Sequence, residues 1–248
     1  MSKVLEVCVD SLDGAAAAIA GGAGRLELCS SLLEGGLTPT PGFLIQVQNL
    51  TANKIPIYCM LRCRPGNFIY NRQEQEVMIE DAKILRKHGA NGFVFGALLE
   101  NGAVDMKMCR ELVKACYPCP ITFHRAFDFC ERPTIEIEVI IDLGFERVLT
   151  SGKQANAQLG VKLIKKLMEQ VGNRIIIMPG GGINKENFKY IMEHTEAKEY
   201  HGSFRKVKTH PEKQEGQSET IKVGCHEGPI YETDQDYIAE ILNMLNNC

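Results

Sequence analysis

The chain is short of the features that mark membrane, secreted and nucleic-acid-binding proteins. No apolar run approaches the roughly 20 residues that a helix needs to cross a bilayer. Met1-Ser2-Lys3 passes straight into the strand-like Val4-Leu5-Glu6-Val7-Cys8-Val9, which leaves no h-region for a signal peptide. A soluble, cytoplasmic protein with no membrane partner is therefore expected. Net charge is only -3, and no Lys/Arg stripe is interleaved with aromatic residues, which argues against a nucleic-acid partner. No Pro/Ser/Gly linker divides the 248 residues, so one domain over 1–248 is expected. The ten cysteines, at 8, 29, 59, 63, 109, 116, 119, 130, 225 and 248, lack the regular short spacing of a disulfide framework and read as thiols in a reducing compartment.

What is present is an alternation of strand and helix. Eight short runs rich in β-branched residues or Leu cover 4–9, 25–29, 55–61, 92–96, 120–124, 147–150, 174–178 and 198–202, with seven potentially helical segments between them. Leu163, Ile164, Leu167, Met168 and Val171 form one helical stripe, and Tyr237, Ile238, Ile241, Leu242 and Leu245 repeat it after the last strand. Pro133 suits the first turn of a helix that runs to Leu143, with Gly144 at its exit. Eight such units predict parallel strands closed into a (β/α)8 TIM barrel. An open doubly wound sheet is the alternative, but the first strand leads to no Gly-x-Gly-x-x-Gly turn. The polar run 203–236, with Lys206, Lys208, His210, Glu212, Lys213 and Glu215, predicts a long loop after strand eight: a lid, a contact surface or a partly disordered segment.

Barrel geometry then sorts the side chains, because outward faces meet helices and should be apolar. Leu5, Val7 and Val9 point out while Glu6 and Cys8 point in, with Asp10 at the rim. Leu26 and Leu28 point out on strand two, which turns Arg25, Glu27 and Cys29 inward; strand three offers Tyr58, Met60 and Arg62 to the interior. In Ile121-Thr122-Phe123-His124-Arg125-Ala126-Phe127-Asp128 the alternation puts Thr122 and His124 inside. An interior holding Glu6, Arg25, Glu27, Arg62 and His124 is more polar than structure alone requires. Arg25 and Glu27 begin their strand and read equally as internal ion pairs or as functional groups. Arg62 and His124 end theirs, where barrel enzymes do chemistry.

Several chemistries are open to these residues. His124 with Asp128 or Glu6 is a candidate acid/base pair, with Arg62 beside it. The turn Gly180-Gly181-Gly182 into a helix capped by Asn184, with Ser151, Gly152, Ser203 and Arg205 nearby, is a candidate anion site; a tight turn needing glycine conformations is the plain alternative. Cys8 and Cys29 end neighbouring parallel strands, about 4.8 Å apart, and two inward thiolates at that range could bridge a soft ion such as Cu(I). Cysteine is also a common small core residue, and successive barrel layers could offset the two sulfurs. Cys116-Tyr117-Pro118-Cys119 precedes strand five, on the face away from barrel active sites, and reads as structural. Cys59 and Cys63 have opposed strand directions, and Cys225-His226 is a possible accessory pair.

Seven segments together resemble the CutC copper-homeostasis family, in its eukaryotic form, over nearly the whole chain. They are Glu6-Val7-Cys8-Val9-Asp10-Ser11, Leu26-Glu27-Leu28-Cys29-Ser30, Glu34-Gly35-Gly36-Leu37-Thr38-Pro39, Val94-Phe95-Gly96-Ala97-Leu98, Thr122-Phe123-His124-Arg125-Ala126-Phe127-Asp128, Arg147-Val148-Leu149-Thr150-Ser151-Gly152 and Met178-Pro179-Gly180-Gly181-Gly182-Ile183. The resemblance implies a barrel, a cytosolic location, a homo-oligomer (dimer or tetramer) and Cu(I) binding by cysteines that match Cys8 and Cys29. Where relatives read Arg-Pro-Arg-Gly-Gly-Asp after strand three, this chain has Arg62-Cys63-Arg64-Pro65-Gly66-Asn67, with a carboxylate missing and a thiol added. Gly202 stands where some animal members have a cysteine, so no third thiolate comes from there. Two readings follow: a Cu(I)-binding homeostasis protein, or a barrel enzyme acting on a small anionic metabolite, phosphorylated or carboxylated.

Overall fold

The structure, a computed structural model, describes residues 3–208 and 230–247. Eight parallel strands alternate with eight α-helices in chain order. The strands are β1 (Val4–Val9), β2 (Arg25–Leu28), β3 (Ile57–Met60), β4 (Gly92–Phe95), β5 (Ile121–Phe123), β6 (Arg147–Thr150), β7 (Ile176–Pro179) and β8 (Glu199–Gly202). The helices are α1 (Leu12–Ala20), α2 (Pro41–Thr51), α3 (Arg72–Lys87), α4 (Met106–Cys116), α5 (Pro133–Asp142), α6 (Ala157–Val171), α7 (Lys185–Thr195) and α8 (Gln235–Asn246). The sheet runs β7-β6-β5-β4-β3-β2-β1-β8, and a parallel bridge between Gly180 and His201 joins its two ends. The predicted (β/α)8 barrel is thus the observed fold.

Local chemistry explains where the helices begin. Ser11, Thr40, Asn71, Asp105, Asn156, Asn184 and Asp234 each accept a backbone N–H of the first turn, and Pro41 and Pro133 occupy first-turn positions. Each such cap stabilises its helix by about 1 kcal/mol, and it fixes where the preceding strand must release its chain. The helices then bury their stripes on the outer face of the sheet. Leu5, Val7, Leu26, Leu28, Phe93 and Phe123 pack there with Ile164 and Leu167 of α6 and Ile238 and Ile241 of α8. Inside the barrel, Cys29, Tyr58, Met60 and Val94 form a separate small cluster, as the alternation of β2 and β3 predicts.

The expected loop at 203–236 is structured at both described ends. Residues Arg205–Val207 (β9) pair antiparallel with Tyr231–Thr233 (β10). Complementary charge favours the pairing, because Lys206 reaches Asp234 at 2.8 Å and Lys208 reaches Glu232 at 3.4 Å. This ribbon lies against α1, where Thr233 Oγ1 would sit 3.0 Å from a Cβ placed on Gly14. The centre of the predicted loop, with Cys225-His226, lies outside the described residues, as does Cys248. Cys116 is buried in α4, and Cys119 donates to the Ala90 carbonyl at 3.5 Å, on the face opposite the carboxyl ends of the strands.

A candidate metal centre at the barrel mouth

A cavity of about 210 Å³ opens at the carboxyl ends of the strands, and its floor is set by strand register. In that register Glu6 lies level with Arg25 on one side and His201 on the other. Its Oε2 accepts from Arg25 Nε, and its Oε1 meets His201 Nδ1 at 2.7 Å. Arg25 also donates to Glu199, whose Oε2 accepts from Arg147 Nε at 3.1 Å. Both guanidinium groups lie over the Tyr58 ring, 4.9 and 5.1 Å from its centre. Burial acts against the Glu6 carboxylate, but Arg25 and His201 outweigh it and hold its pKa down at about 2. Glu6 is therefore an anion that orients His201.

One layer higher, Cys8 lies level with Glu27. A donor atom each from Cys8, Glu27 and His201 fall within 4.8 Å of one another, and all three residues are buried. His201 Nε2 is 3.8 Å from Glu27 Oε2, with the Cys8 sulfur in the same group of donor atoms. Burial opposes charge on His201, yet Glu27, Cys8 and Glu6 together raise its pKa well above the usual imidazole value. Burial raises the pKa of Glu27, whose Oε1 has no hydrogen-bond partner.

Cys29 follows Glu27 by two residues and so projects from the next layer, above the Cys8 level. Its sulfur is 3.5 Å from Glu27 Oε2. The loop after β2 closes over it: Ser30 bridges Leu37, Asp10 accepts the Leu32 N–H at 2.8 Å, and Gly36 covers the thiol. Gly36 has φ +86°, and a Cβ there would stand 3.0 Å from Cys29 Sγ, so glycine is needed for both the turn and the approach. Cys29 is fully buried, and burial, followed by the Glu27 carboxylate, raises its thiol pKa far above normal.

The remaining predicted residues separate into those on the cavity and those beside it. His124, Ser203 and Arg205 line it. Burial and the Arg62 charge push the His124 pKa down to about 3, so this imidazole is neutral. Its Nδ1 accepts the Ala126 N–H at 3.3 Å, which assigns the ring proton to Nε2; that atom is buried without a partner. Arg62 donates to the carbonyls of Glu34, Gly36 and Gly66, fastening the loop over Cys29. Asp128 accepts from the Ser151 and Lys153 N–H groups at 3.1 Å and from Arg125 Nε at 2.8 Å, rather than from His124. Ser151 is buried against that carboxylate, and Gly152 backs onto Gly160 of α6. In the glycine turn, the Gly180 N–H donates to the Thr150 carbonyl, Gly181 backs onto Arg125 and Gly182 onto Asn156.

Two polar cavity residues, His201 and Arg125, are not among the candidates read from the sequence. His201 was visible in Tyr200-His201-Gly202-Ser203, and the signal for it is the alternation of β8, which buries Tyr200 among the outer apolar residues and so turns Glu199 and His201 inward. Arg125 comes two residues after the end of β5, where side chains turn toward the barrel mouth.

Comparison with known proteins follows the same outline. A model of the CutC family matches residues 3–206. The chain is 49% identical over 202 residues to the copper homeostasis protein cutC homolog of Mus musculus, covering 82% of this chain and 74% of the mouse protein. It is 47% identical over 205 residues to the homolog of Homo sapiens, covering 83% and 74%. A crystal structure of CutC from Streptococcus agalactiae superposes with a TM-score of 0.77 at 33% identity, covering 81% of this chain and 98% of the bacterial one.

Proposed function

The chain belongs to the CutC family, and from that premise we propose that it serves copper homeostasis by holding Cu(I) at the floor of the barrel-mouth cavity. The observation that carries this reading is the convergence of Cys8, Glu27 and His201 within 4.8 Å, with the Cys29 sulfur 3.5 Å from the same Glu27 carboxylate. Two sulfurs and an imidazole are the donors a soft monovalent ion prefers, whereas a site for a hard cation would be built mainly of oxygens. Cys8 and Cys29 are the thiolate donors in this proposal, His201 Nε2 is the nitrogen donor, and Glu27 can take up one of the protons displaced from them while the rest leave to solvent.

The buried ion network supports the reading by what it does to His201. Glu6 engages Nδ1, which leaves Nε2 as the free donor atom and fixes the ring, the arrangement by which a carboxylate behind an imidazole makes it a better ligand. Because His201 and the Cys29 thiol hold their protons until the ion arrives, Cu(I) binding is accompanied by proton release. The family relationship further supports a cytoplasmic homo-oligomer of two or four copies within which each single-domain chain carries its own site.

X-ray absorption at the copper edge of the anaerobically loaded protein tests the donor set. Sulfur scattering together with the outer-shell pattern of one imidazole is expected, and the imidazole pattern should disappear in His201→Asn. A spectrum of oxygen and nitrogen donors without sulfur contradicts the proposal.

A further inference from the structure

The wall of the same cavity differs in character from its floor. Toward the rim stand the guanidinium groups of Arg125 and Arg205 and the hydroxyl-bearing Ser203, with His124 below them. Among the described residues, Glu27 is the only carboxylate in the lining, and it lies at the floor beside His201. The lining therefore offers two guanidinium groups, of which Arg125 is paired with Asp128, against one carboxylate. Much of the rest of the lining is apolar, provided by Leu32, Met60, Phe68 and Leu149.

We propose that this cavity binds a small organic oxyanion, a carboxylate or a phosphate ester, with its charged head between Arg125, Arg205, Ser203 and His124 and its carbon skeleton against the apolar wall. Arg125 is already positioned: Nε donates to Asp128 at 2.8 Å and Nη2 to Ser151 Oγ at 2.9 Å, while 42% of the side chain stays exposed. A guanidinium fixed before the ligand arrives loses little freedom on binding, and its planar fork suits carboxylate and phosphate equally. Arg205 is braced by the Tyr231 ring, 5.8 Å from its centre. His124 adds an Nε2–H with no acceptor in the structure, on a side chain only 4% exposed. Buried donors without partners are uncommon in native proteins; this Nε2 is shut off from water as the ring stands, so an anion in the cavity completes it once the His124 ring turns toward the lining.

Size narrows the class. About 210 Å³ lies below the roughly 300 Å³ at which pockets for drug-sized ligands begin, so a small metabolite fits and a nucleotide does not. This site also differs from the one expected at the glycine turn, because Asp128 already fills the position that Ser151 would offer to an anion. The two sites share the cavity, but none of the four oxyanion donors is among the proposed copper donors, so binding to the metal-free chain tests this inference apart from the copper reading.

Protein NMR on the metal-free chain tests the site, with inorganic phosphate and lactate titrated in parallel and the Cys119→Ser variant run alongside. Saturable shifts at Arg125 and His124 are expected with at least one probe, and the probe that saturates distinguishes phosphate ester from carboxylate. Affinity should fall about tenfold in Arg205→Gln, a rim change that leaves the core intact, and again in His124→Phe, and it should be unchanged in Cys119→Ser, on the opposite face of the barrel. The proposal is overturned if neither probe saturates, or if Arg205→Gln and His124→Phe bind as the parent does, which identifies an adventitious ion only.

Discussion

Replacing Arg25 by Met removes the cation that joins two buried carboxylates beneath the candidate site. Arg25 is 5% exposed and bridges Glu6 and Glu199; without it, Glu6 keeps only His201 and Glu199 keeps only Arg147. Breaking a buried pair by deleting one partner destabilises a protein by about 3–5 kcal/mol, because the remaining charge is left short of compensation. The titration of Glu6 gives a second route to the magnitude. Its pKa is about 2 in the folded chain against an ordinary 4.5, and this difference corresponds to roughly 3 kcal/mol of stability. Glu6 is fully buried, so solvent screening does not reduce the figure.

The sign follows from the direction of the shift. A lowered carboxyl pKa contributes stability that is fully present above about pH 4.5 and is lost as the pH falls toward 2. Arg25→Met should therefore unfold about 3 kcal/mol more easily at neutral pH, and the gap should narrow in acid as the parent loses what the variant already lacks. Urea denaturation followed by circular dichroism at pH 7 and near pH 3.5 measures both quantities. A neutral-pH gap of about 1 kcal/mol or less, the size of an exposed pair, or a gap that does not change with pH, would refute the reasoning.

Three further outcomes follow from named contacts. His124, held near pKa 3 against 6.5 in an unfolded chain, should cause stability to fall as pH drops from 6.5 toward 3; His124→Gln should soften that slope, and NMR should find the parent imidazole neutral at about pH 5. Asp128→Asn keeps the size but weakens four or more hydrogen bonds to charge, and should lower stability by about 2 kcal/mol or more in urea unfolding. Gly160→Ala would improve helix propensity by about 1 kcal/mol, yet its Cβ would stand 1.8 Å from the Ser151 carbonyl oxygen, so the melting temperature should fall rather than rise.

The alternation of short strands made the barrel legible, because Leu5, Val7 and Val9 could face only helices once Glu6 and Cys8 were turned inward. What alternation leaves undetermined is the level at which neighbouring strands meet. Cys8 and Cys29 end adjacent strands, but the register sets Cys8 beside Glu27 and lifts Cys29 to the next layer, so the pair expected side by side is arranged around a carboxylate. His201 comes to the same point from the far end of the chain, through pairing of the first strand with the last. Asp128 gave no local sign that it would accept from the Ser151 backbone 23 residues onward. Such partnerships depend on loop paths, and neither period nor composition encodes them.

Cu(I) binding at the barrel mouth is measured by an anaerobic competition titration of the fully reduced chain against a chromophoric chelator. One tight equivalent is expected, lost in the Cys8→Ser/Cys29→Ser double variant, with release of protons on binding. Weak binding, or an equivalent retained by the double variant, would contradict it.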